Sequence, residues 1–471
     1  MDTKALRQKI LDLAIHGKLV PQDPNDEPAS VLLERIRAEK ERLIKEGKIK
    51  KGKKSAKTSD KPHYPYELPK GWVWTTIEDV CSKIGSGSTP KGSNYSKEGI
   101  PFFRSQNVYN SGIVMSDIKY ISDEIHQMMI GTEVVANDLL LNITGGSLGR
   151  CAVIPSNFEK GNVSQHVCIL RPIVIKPEFL HCFLLSSFFA KSMKITGSGR
   201  EGLPKYNLEK MLLPLPPEQE QERIVAETKR LQSFVDELET SCENMTKLVA
   251  QVKSKVLDLA IHGKLVQQDP NDEPASELLK RINPKAEIIT DNGHYQKLPV
   301  GWCVCHINEI SESLLGKTLD RTKDSGEFKR YVCAVNVQWG YFDFTTQKEF
   351  RIEAKDFERY AVKKGDLLIC EGGDVGRCAI WDTDTEMYYQ NALHRVRCKF
   401  GISEKYLQYS LWHFKLNGVI DSLCKGVTIK HFTQSTMNKL EIPLPPFAEQ
   451  QRIVAKIEEL FHQLDIIEES L

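Results

Sequence analysis

The sequence has little of several features that would assign a function at once. No apolar run in its 471 residues approaches the roughly 20 residues that a membrane-spanning helix needs, and the start of the chain, Met1–Leu6, has no apolar signal-peptide core. Lys and Arg (64) nearly balance Asp and Glu (63), so the chain is not a polycation, which does not exclude a local basic face. We expect a cytoplasmic protein that is not bound to a membrane.

Motifs for metals and nucleotides are scarce as well. The twelve cysteines have no disulfide-framework spacing, and the close pair Cys303 and Cys305 lacks a second Cys/His pair at zinc spacing. We expect reduced thiols. The sequence contains no Gly-x-x-x-x-Gly-Lys-Ser/Thr loop for ATP and no paired-carboxylate-plus-lysine nuclease pattern. It therefore predicts no metal, no cofactor and no catalytic residue.

What the chain does have is a long heptad pattern between Ile224 and Leu259. Two apolar series, each with a period of seven, alternate in steps of four and three over about five heptads, which is typical of a coiled coil. The spacing resumes at both ends of the chain. Ile453 begins a C-terminal copy 229 residues after Ile224, and Leu13 lies 246 residues before Leu259. The two termini together therefore match one copy of the central helix, cut in the middle.

A second repeat shows that the whole chain is a duplication. The ten residues Leu11–Val20 recur letter for letter at Leu257–Val266. Gly17 and Gly263 suit the left-handed residue that ends a helix, and His16 and His262 are predicted to cap the last turn.

The same frame encloses two globular segments. Leu-Pro-x-Gly-Trp ends at Trp72 and again at Trp302, and each copy opens about 145 residues of short β-prone runs. Each segment closes on Pro-Leu-Pro-Pro, at Pro217 and at Pro446, before a heptad helix. The order is helix, globular domain, long helix, globular domain, helix.

With these motifs duplicated in register, the sequence resembles the specificity subunit of a type I restriction–modification system over essentially its whole length. Ile-Val-Ala at the start of each heptad helix and the Glu449-Gln450 pair after the second exit motif add to the resemblance. Adenine-N6 methyltransferases carry an Asn/Asp-Pro-Pro-aromatic loop, which this chain lacks. The resemblance therefore implies a non-catalytic subunit.

The resemblance implies an α/β (α+β) fold with two target recognition domains separated by a long antiparallel helical coiled coil, as a pseudo-two-fold, circularly permuted repeat. The expected segments are N-terminal helices with a basic linker (residues 1–61), recognition domain 1 (62–215), a central helical region (216–297), recognition domain 2 (298–444) and a C-terminal helix (445–471) that pairs with the central helix.

The implied function is to read an asymmetric bipartite site in double-stranded DNA, one half per domain. The implied partners are two methyltransferase subunits, which methylate adenine at N6 with S-adenosylmethionine, and restriction/translocase subunits that cleave. Three alternatives stay open: the specificity chain of a two-subunit enzyme that cuts on both sides of its site, an enzyme that acts on nucleic acid alone, and a structural coiled-coil scaffold.

Three pairs of loops carry side chains suited to DNA. Glycine loops end in Arg150 and Arg377, where Arg can bridge phosphate or guanine, although each loop could equally be a structural turn with its Arg folded onto its own domain. Amide, imidazole and guanidinium groups that could read base edges, or cap loops, stand at Gln165, His166, Gln390, Asn391, His394 and Arg395. Basic loops before the exit motifs supply Arg200, Lys205, Lys425 and Lys430 for the DNA backbone.

Overall fold

The two sequence repeats fold as two units, Met1–Ser241 (unit 1) and Cys242–Leu471 (unit 2). This computed structural model describes residues 2–49, 64–195, 202–289, 298–320, 325–424 and 431–471. The boundary between the units falls inside one helix, which corresponds to the place where the heptad pattern predicts the repeat to be cut.

Unit 1 contains short strands between helices. Its helices are α1 (Thr3–Ile15), α2 (Ala29–Lys45), α3 (Ile77–Val80), α4 (Asp123–Met128), α5 (Pro177–Leu184), α6 (Ser187–Ser192), α7 (Lys205–Glu209) and the first part of α8 (Glu218–Ile261). Its strands are β1 (Val73–Thr76), β2 (Cys81–Ser86), β3 (Ile100–Phe103), β4 (Val108–Tyr109), β5 (Gly112–Ile113), β6 (Lys119–Ile121), β7 (Glu133–Val134), β8 (Leu139–Asn142), β9 (Cys151–Val153), β10 (Gly161–Val163), β11 (Val167–Pro172) and β12 (Leu212–Leu215).

Unit 2 continues from the second part of α8. Its further helices are α9 (Ala275–Ile282), α10 (Ile307–Ile310), α11 (Phe357–Tyr360), α12 (Glu404–Leu416), α13 (Val419–Leu423), α14 (Gln434–Asn438) and α15 (Phe447–Ser470). Its strands are β13 (Cys303–His306), β14 (Ser311–Leu315), β15 (Glu327–Val332), β16 (Lys348–Ile352), β17 (Ala361–Val362), β18 (Leu367–Cys370), β19 (Cys378–Ile380), β20 (Met387–Tyr389), β21 (Leu393–Cys398) and β22 (Glu441–Leu444).

The three main sheets of one unit have the same strand order as those of the other. In unit 1 the orders are β1-β12, β2-β11-β8-β9 and β6-β3-β10-β7; in unit 2 they are β13-β22, β14-β21-β18-β19 and β16-β15-β20-β17. In each unit one pair is parallel, β3 with β10 and β15 with β20, and the other pairs of these sheets are antiparallel. The predicted duplication is therefore a duplication of topology, although the loop sequences have diverged.

The strands β8 and β18 are buried on both faces, which explains their continuous apolar sequences. Leu139 and Leu141 face a core made with the helices of unit 1, whereas Leu140, between them, packs in a second core with residues of the neighbouring sheet, such as Phe103. In unit 2, Leu367 lies in the core made with the helices and Leu368 lies in the second core. A strand covered on two sides loses the alternation of polar and apolar residues.

The duplicated motifs converge on one structural joint in each unit. The indole Nε1 of Trp72 donates to Glu220, a buried residue in the first turn of α8, at 2.9 Å, and Gln22 donates to the same carboxylate. A Cβ on Gly17 would lie 2.3 Å from a ring carbon of Pro69, so only glycine fits between α1 and the entry motif.

Unit 2 repeats this joint with equivalent residues. Trp302 donates to Glu449 at 3.0 Å, and Gln268 donates to the same carboxylate. A Cβ on Gly263 would lie 2.3 Å from a ring carbon of Pro299. Burial raises the pKa of Glu449. The entry and exit motifs are therefore structural, because they connect each globular domain to its helices.

The predicted central helix is present and exceeds its predicted ends, since α8 begins at Glu218 and ends at Ile261. In unit 1, Arg7 of α1 pairs with Asp236 and Glu239 of α8 at 2.6 and 2.7 Å. In unit 2, Lys253 of α8 pairs with Asp465 and Glu468 of α15 at 2.6 and 2.9 Å. These ion pairs occupy equivalent positions of the repeat. The helices that they join are antiparallel, as predicted.

Candidate nucleic-acid interface

Two of the three predicted loop zones, the glycine loop and the loop before β11, lie at one end of the sheet β2-β11-β8-β9 in unit 1. The last residue of β2, Ser86, pairs with Cys168 near the start of β11, and Val167 pairs with Asn142 at the end of β8. Leu141 in turn pairs with Cys151 at the start of β9. The loops after β2, after β8 and before β11 therefore share this end, which we call the loop end.

Hydrogen bonds connect these loops to one another in unit 1. The hydroxyl of Thr89, after β2, donates to Gln165 Oε1 at 2.8 Å. The hydroxyl of Thr144, in the glycine loop, lies 2.8 Å from His166 Nδ1, and its backbone forms a bridge with Gly202 of the exit loop. Gly145 and Gly146 are exposed between them. The loop end thus presents hydroxyl, amide and imidazole groups on a short exposed turn.

Unit 2 has the same arrangement with different residues. The amide Nδ2 of Asn391 donates to the hydroxyl of Thr318 at 3.1 Å, so the pair Thr318 and Asn391 replaces Thr89 and Gln165. The glycine loop after β18 begins with Glu371, whose carbonyl accepts a hydrogen bond from the backbone of Phe432 at 2.8 Å. Unit 2 has an acidic loop where unit 1 has a neutral, hydroxyl-bearing loop, so the two loop ends differ in chemistry.

Several predicted residues lie on this end and others lie behind it. Gln165 is exposed, and His166, Gln390 and Asn391 are half-buried. His394 is fully buried, donates from Nε2 to the Phe432 carbonyl at 2.9 Å, and has its pKa lowered by burial. Arg395 donates to the carbonyls of Arg359 and Ala361, with 12% of its side chain exposed. These last two side chains are held by their own domain.

The two glycine-loop arginines differ. Arg150 lies over the ring of Tyr109, 4.9 Å from its centroid. Arg377 donates to the Ala334 carbonyl at 2.9 Å, with 21% of its side chain exposed. Both arginines thus contact their own domain, Arg150 through the face of a ring and Arg377 through a hydrogen bond to a backbone carbonyl.

The predicted basic loops are described only in part. Arg200, Lys425 and Lys430 lie outside the described residues. Lys205 begins α7 with a 59% exposed side chain and pairs with Glu209 at 3.3 Å. Of the predicted backbone-binding cations, Lys205 is thus the one whose position is known, and it is on the surface.

Thr89 and Thr318 were not among the predicted residues. Their signal is the motif Gly-x-Thr, which occurs as Gly87-Ser-Thr89 and Gly316-Lys-Thr318 with the 229-residue offset of the helices. Each glycine permits a close crossing, because a Cβ would lie 1.9 Å from the Val163 carbonyl in one unit and 2.3 Å from the Gln390 carbonyl in the other. The motif brings a hydroxyl next to the amide before β11 or β21.

One group of side chains that could hold a metal lies elsewhere in unit 2. Ligand atoms of Asp258, His262 and His413 are within 4.8 Å of one another, and burial lowers the pKa of His413 to about 4. His262 Nδ1 lies 2.7 Å from the Asp258 carbonyl, and His16 Nδ1 lies 2.6 Å from the Asp12 carbonyl in unit 1. The aspartate and histidine are thus explained by the helix end that both units share.

Comparison with known proteins identifies the family. The sequence matches the family described as "Type I restriction modification DNA specificity domain" twice, over residues 69–245 and 299–471, more than half of the chain. The chain belongs to this family. It carries both specificity domains, one in each unit, and specificity subunits are the non-catalytic, DNA-recognising members of their complexes.

Individual relatives agree over nearly the full length. The specificity subunit of the EcoEI type I restriction enzyme of Escherichia coli is 27% identical, over 99% of this chain and 90% of the relative. That of EcoAI, also from E. coli, is 29% identical over 97% and 88%. Among solved structures, the HsdS subunit from Thermoanaerobacter tengcongensis has a TM-score of 0.56 at 19% identity, covering 86% of this chain and 93% of that one.

A second solved chain, from a study of complex assembly and conformational transition in a type I restriction–modification system, has a TM-score of 0.58 at 20% identity and covers 86% and 94%. These structural likenesses confirm the predicted two-domain fold. Among the described residues, no helix is long and apolar enough to cross a membrane.

Proposed function

We propose that each unit reads one half of an asymmetric bipartite DNA site through its loop end. The observation that carries this proposal is the common construction of the two loop ends. The same sheet, in the same register, gathers the same three loops in both units, while the side chains on those loops differ. A conserved frame with divergent loops is what a protein needs to read two different sequences.

The side chains at the loop ends have the chemistry of base recognition. Gln165 and Asn391 each carry an amide, and an amide can pair with adenine through N6 and N7 in the major groove. The hydrogen bonds to threonine run in opposite directions. Thr89 donates to the Gln165 oxygen, whereas Asn391 donates to the Thr318 oxygen. The amide groups that remain after the threonine contact therefore differ between the units, which supports two different half-sites.

The proposed partners are two methyltransferase subunits, one on the helices of each unit, together with restriction subunits. Each unit exposes large apolar side chains on its helices: Leu6 and Phe234 in unit 1, and Leu248, Val252 and Ile466 in unit 2. An exposed apolar surface on a helix pair is suited to a protein partner. The methyltransferases would supply S-adenosylmethionine and the chemistry, and the complex would work in the cytoplasm.

The net charge of +1 supports the need for partners. With so little excess positive charge, the chain alone has weak electrostatic attraction to phosphates, which is the main source of non-specific DNA affinity. We expect tight DNA binding only from the assembled complex.

The test is to map methylated adenines across the genome of a strain that expresses the chain with its methyltransferase. We expect one motif with two different half-sites and an unread spacer. The same strain without the chain is the control and should show no motif. A palindromic motif would contradict the proposal, because identical half-sites require two equivalent reading surfaces. Native mass spectrometry of the same complex checks for two methyltransferase subunits per chain.

A further inference from the structure

Arg150 and Arg377 occupy the same backbone position in the two units. The backbone of Asn142 donates to the Arg150 carbonyl at 2.8 Å, and that of Cys370 donates to the Arg377 carbonyl at 2.8 Å. The returning bonds, from Gly149 to Asn142 and from Gly376 to Cys370, are both 2.9 Å. The two glycine loops therefore close with the same pair of backbone hydrogen bonds, although the loop of unit 1 is one residue longer.

In unit 1 the side chain of Asn142 satisfies a neighbouring carbonyl. Its amide Nδ2 donates to the Ser105 carbonyl at 2.8 Å and also contacts the Ser147 hydroxyl at 3.1 Å. Asn142 is fully buried. The guanidinium of Arg150 forms no hydrogen bond with the described part of the chain and is placed by the exposed ring of Tyr109. Its donors can therefore be used by another molecule.

In unit 2 cysteine replaces that asparagine, and the arginine takes over its contact. The carbonyl of Ala334 corresponds to that of Ser105, since each follows the residue whose N–H is capped by a buried asparagine, Asn336 or Asn107. The thiol of Cys370 lies 3.8 Å from this carbonyl and is a weak donor. Arg377 Nη2 donates to it at 2.9 Å.

Further contacts hold Arg377 in place. Its Nη1 lies 3.9 Å from Asp374, a carboxylate that also pairs with Lys415 at 3.2 Å. Gln338 stands where unit 1 has Tyr109, so unit 2 offers no aromatic ring at the equivalent position. The arginine of unit 2 is thus held by one inward hydrogen bond from Nη2 and by the nearby carboxylate of Asp374.

We propose that Asn142 is a positioning residue that leaves Arg150 available to DNA, whereas Arg377 is a structural residue that replaces the asparagine amide in unit 2. The DNA part of this proposal rests on the proposed function. The ligand of Arg150 would be a pair of acceptor oxygens or nitrogens, on a phosphate or on guanine, which a guanidinium binds with two donors. Only one of the two glycine-loop arginines would therefore contact DNA.

The first experiment needs no DNA and uses the full chain. Arg377→Ala should lower the melting temperature by about 3–5 °C and increase hydrogen exchange in β18 and β19, because it leaves the Ala334 carbonyl without its strong donor. Arg150→Ala should leave both measurements unchanged. In a Cys370→Asn background, Arg377→Ala should lower the melting temperature much less, because the new amide can donate to the Ala334 carbonyl. An equal loss of melting temperature in the wild-type and Cys370→Asn backgrounds would overturn the structural role of Arg377.

The second experiment measures DNA binding by the chain in complex with its methyltransferase, on DNA that carries the mapped motif. Arg150→Ala should weaken binding about tenfold, and Asn142→Cys should weaken it too, because Arg150 is then drawn to the Ser105 carbonyl. Arg42→Ala is the charge-matched control, since Arg42 is bound on α2 by Glu39 and Glu46. If Asn142→Cys shows no cooperative melting transition, Arg150→Ala alone decides whether Arg150 contacts DNA.

The outcomes separate the two possible ligands and the two proposals. If Arg150 contacts a phosphate, Arg150→Ala lowers the salt dependence of binding by about one ion. If it contacts guanine, the same substitution relaxes the motif at one base pair. Unchanged binding by Arg150→Ala, with a wild-type complex that binds its motif, would overturn the proposed DNA contact. If the wild-type complex binds no motif, the proposed function fails, and the melting experiment still decides the role of Arg377.

Discussion

At the scale of single residues, small differences give the two loop ends different hydrogen-bonding groups. Thr89 and Thr318 sit at equivalent positions and bond to an amide of the neighbouring loop, but one donates and the other accepts. Both amide partners, Gln165 and Asn391, lie immediately before the strand at the centre of the loop end. A hydroxyl therefore holds one end of each amide, and Oδ1 of Asn391 also accepts a hydrogen bond from the backbone of Ala392.

This gives a prediction for the two threonines. Thr89→Val keeps the shape of the side chain and removes the hydroxyl, so Gln165 can rotate and its half-site should be read about fivefold less strictly at one base pair, the equivalent of one hydrogen bond. Thr318→Val should relax only the other half-site. Methylome sequencing of each variant measures this. Thr240→Val, which removes a hydroxyl on α8, is the control, and equal relaxation of both half-sites by one variant would contradict the prediction.

The register of the strands is a residue-level feature that the sequence does not predict. His166 and His394 look equivalent in sequence because each follows a Gln- or Asn-containing loop. The pairing Val167 with Asn142 and Leu393 with Cys370 shows that His166 corresponds to Ala392, and His394 to Cys168. A difference of two positions moves the imidazole from the loop into the strand, where it is buried. No sequence period reveals such an offset without the pairing.

At the scale of elements, the duplicated motifs were predicted as boundaries, and the structure explains their residues. Leu-Pro-x-Gly-Trp supplies an indole donor, and the first turn of the following helix supplies a buried carboxylate, Glu220 or Glu449. These partners are nearly 150 residues apart in sequence, so spacing alone could not join them. The helix was predictable because its heptads are local, and its extension to Glu218 follows from the prolines before it and the acidic first turn.

The joint leads to a stability prediction. Trp72→Phe keeps an aromatic ring but leaves Glu220 with one fewer donor, so it should cost about 1–3 kcal/mol in the free energy of unfolding. Trp302→Phe should cost a similar amount through Glu449. Urea denaturation followed by circular dichroism measures both. Trp74→Phe, in the strand that follows the entry motif, is the control for loss of indole area. If it lowers the free energy of unfolding as much as Trp72→Phe, the hydrogen bond to Glu220 is unimportant.

At the scale of the whole molecule, each unit contains a complete set of helices, sheets and joint contacts. The core of unit 1 runs from Ala14 and Ile15 on α1 to Ile224 on α8. The core of unit 2 runs from Leu257 on α8 to Phe461 on α15. Among the described residues, each of these two hydrophobic clusters lies within one unit.

We therefore expect each half of the chain to fold alone. Residues 1–241 and 242–471, expressed separately, should each melt in one cooperative transition and retain dispersed amide resonances. A fragment ending before α8, residues 1–215, is the control and should be much less stable, because it lacks Glu220 and Ile224. Unfolded or aggregated halves, under conditions where the whole chain is soluble, would contradict this.

The position of the boundary inside α8 also bears on the history of the gene. In the repeat, α15 corresponds to the first part of α8 and α1 to its last part, so the boundary between the units lies within one continuous helix. An ancestral gene for a single unit, joined to its own copy at this place, reads straight through as helix. After that fusion, each half became free to acquire its own sequence preference.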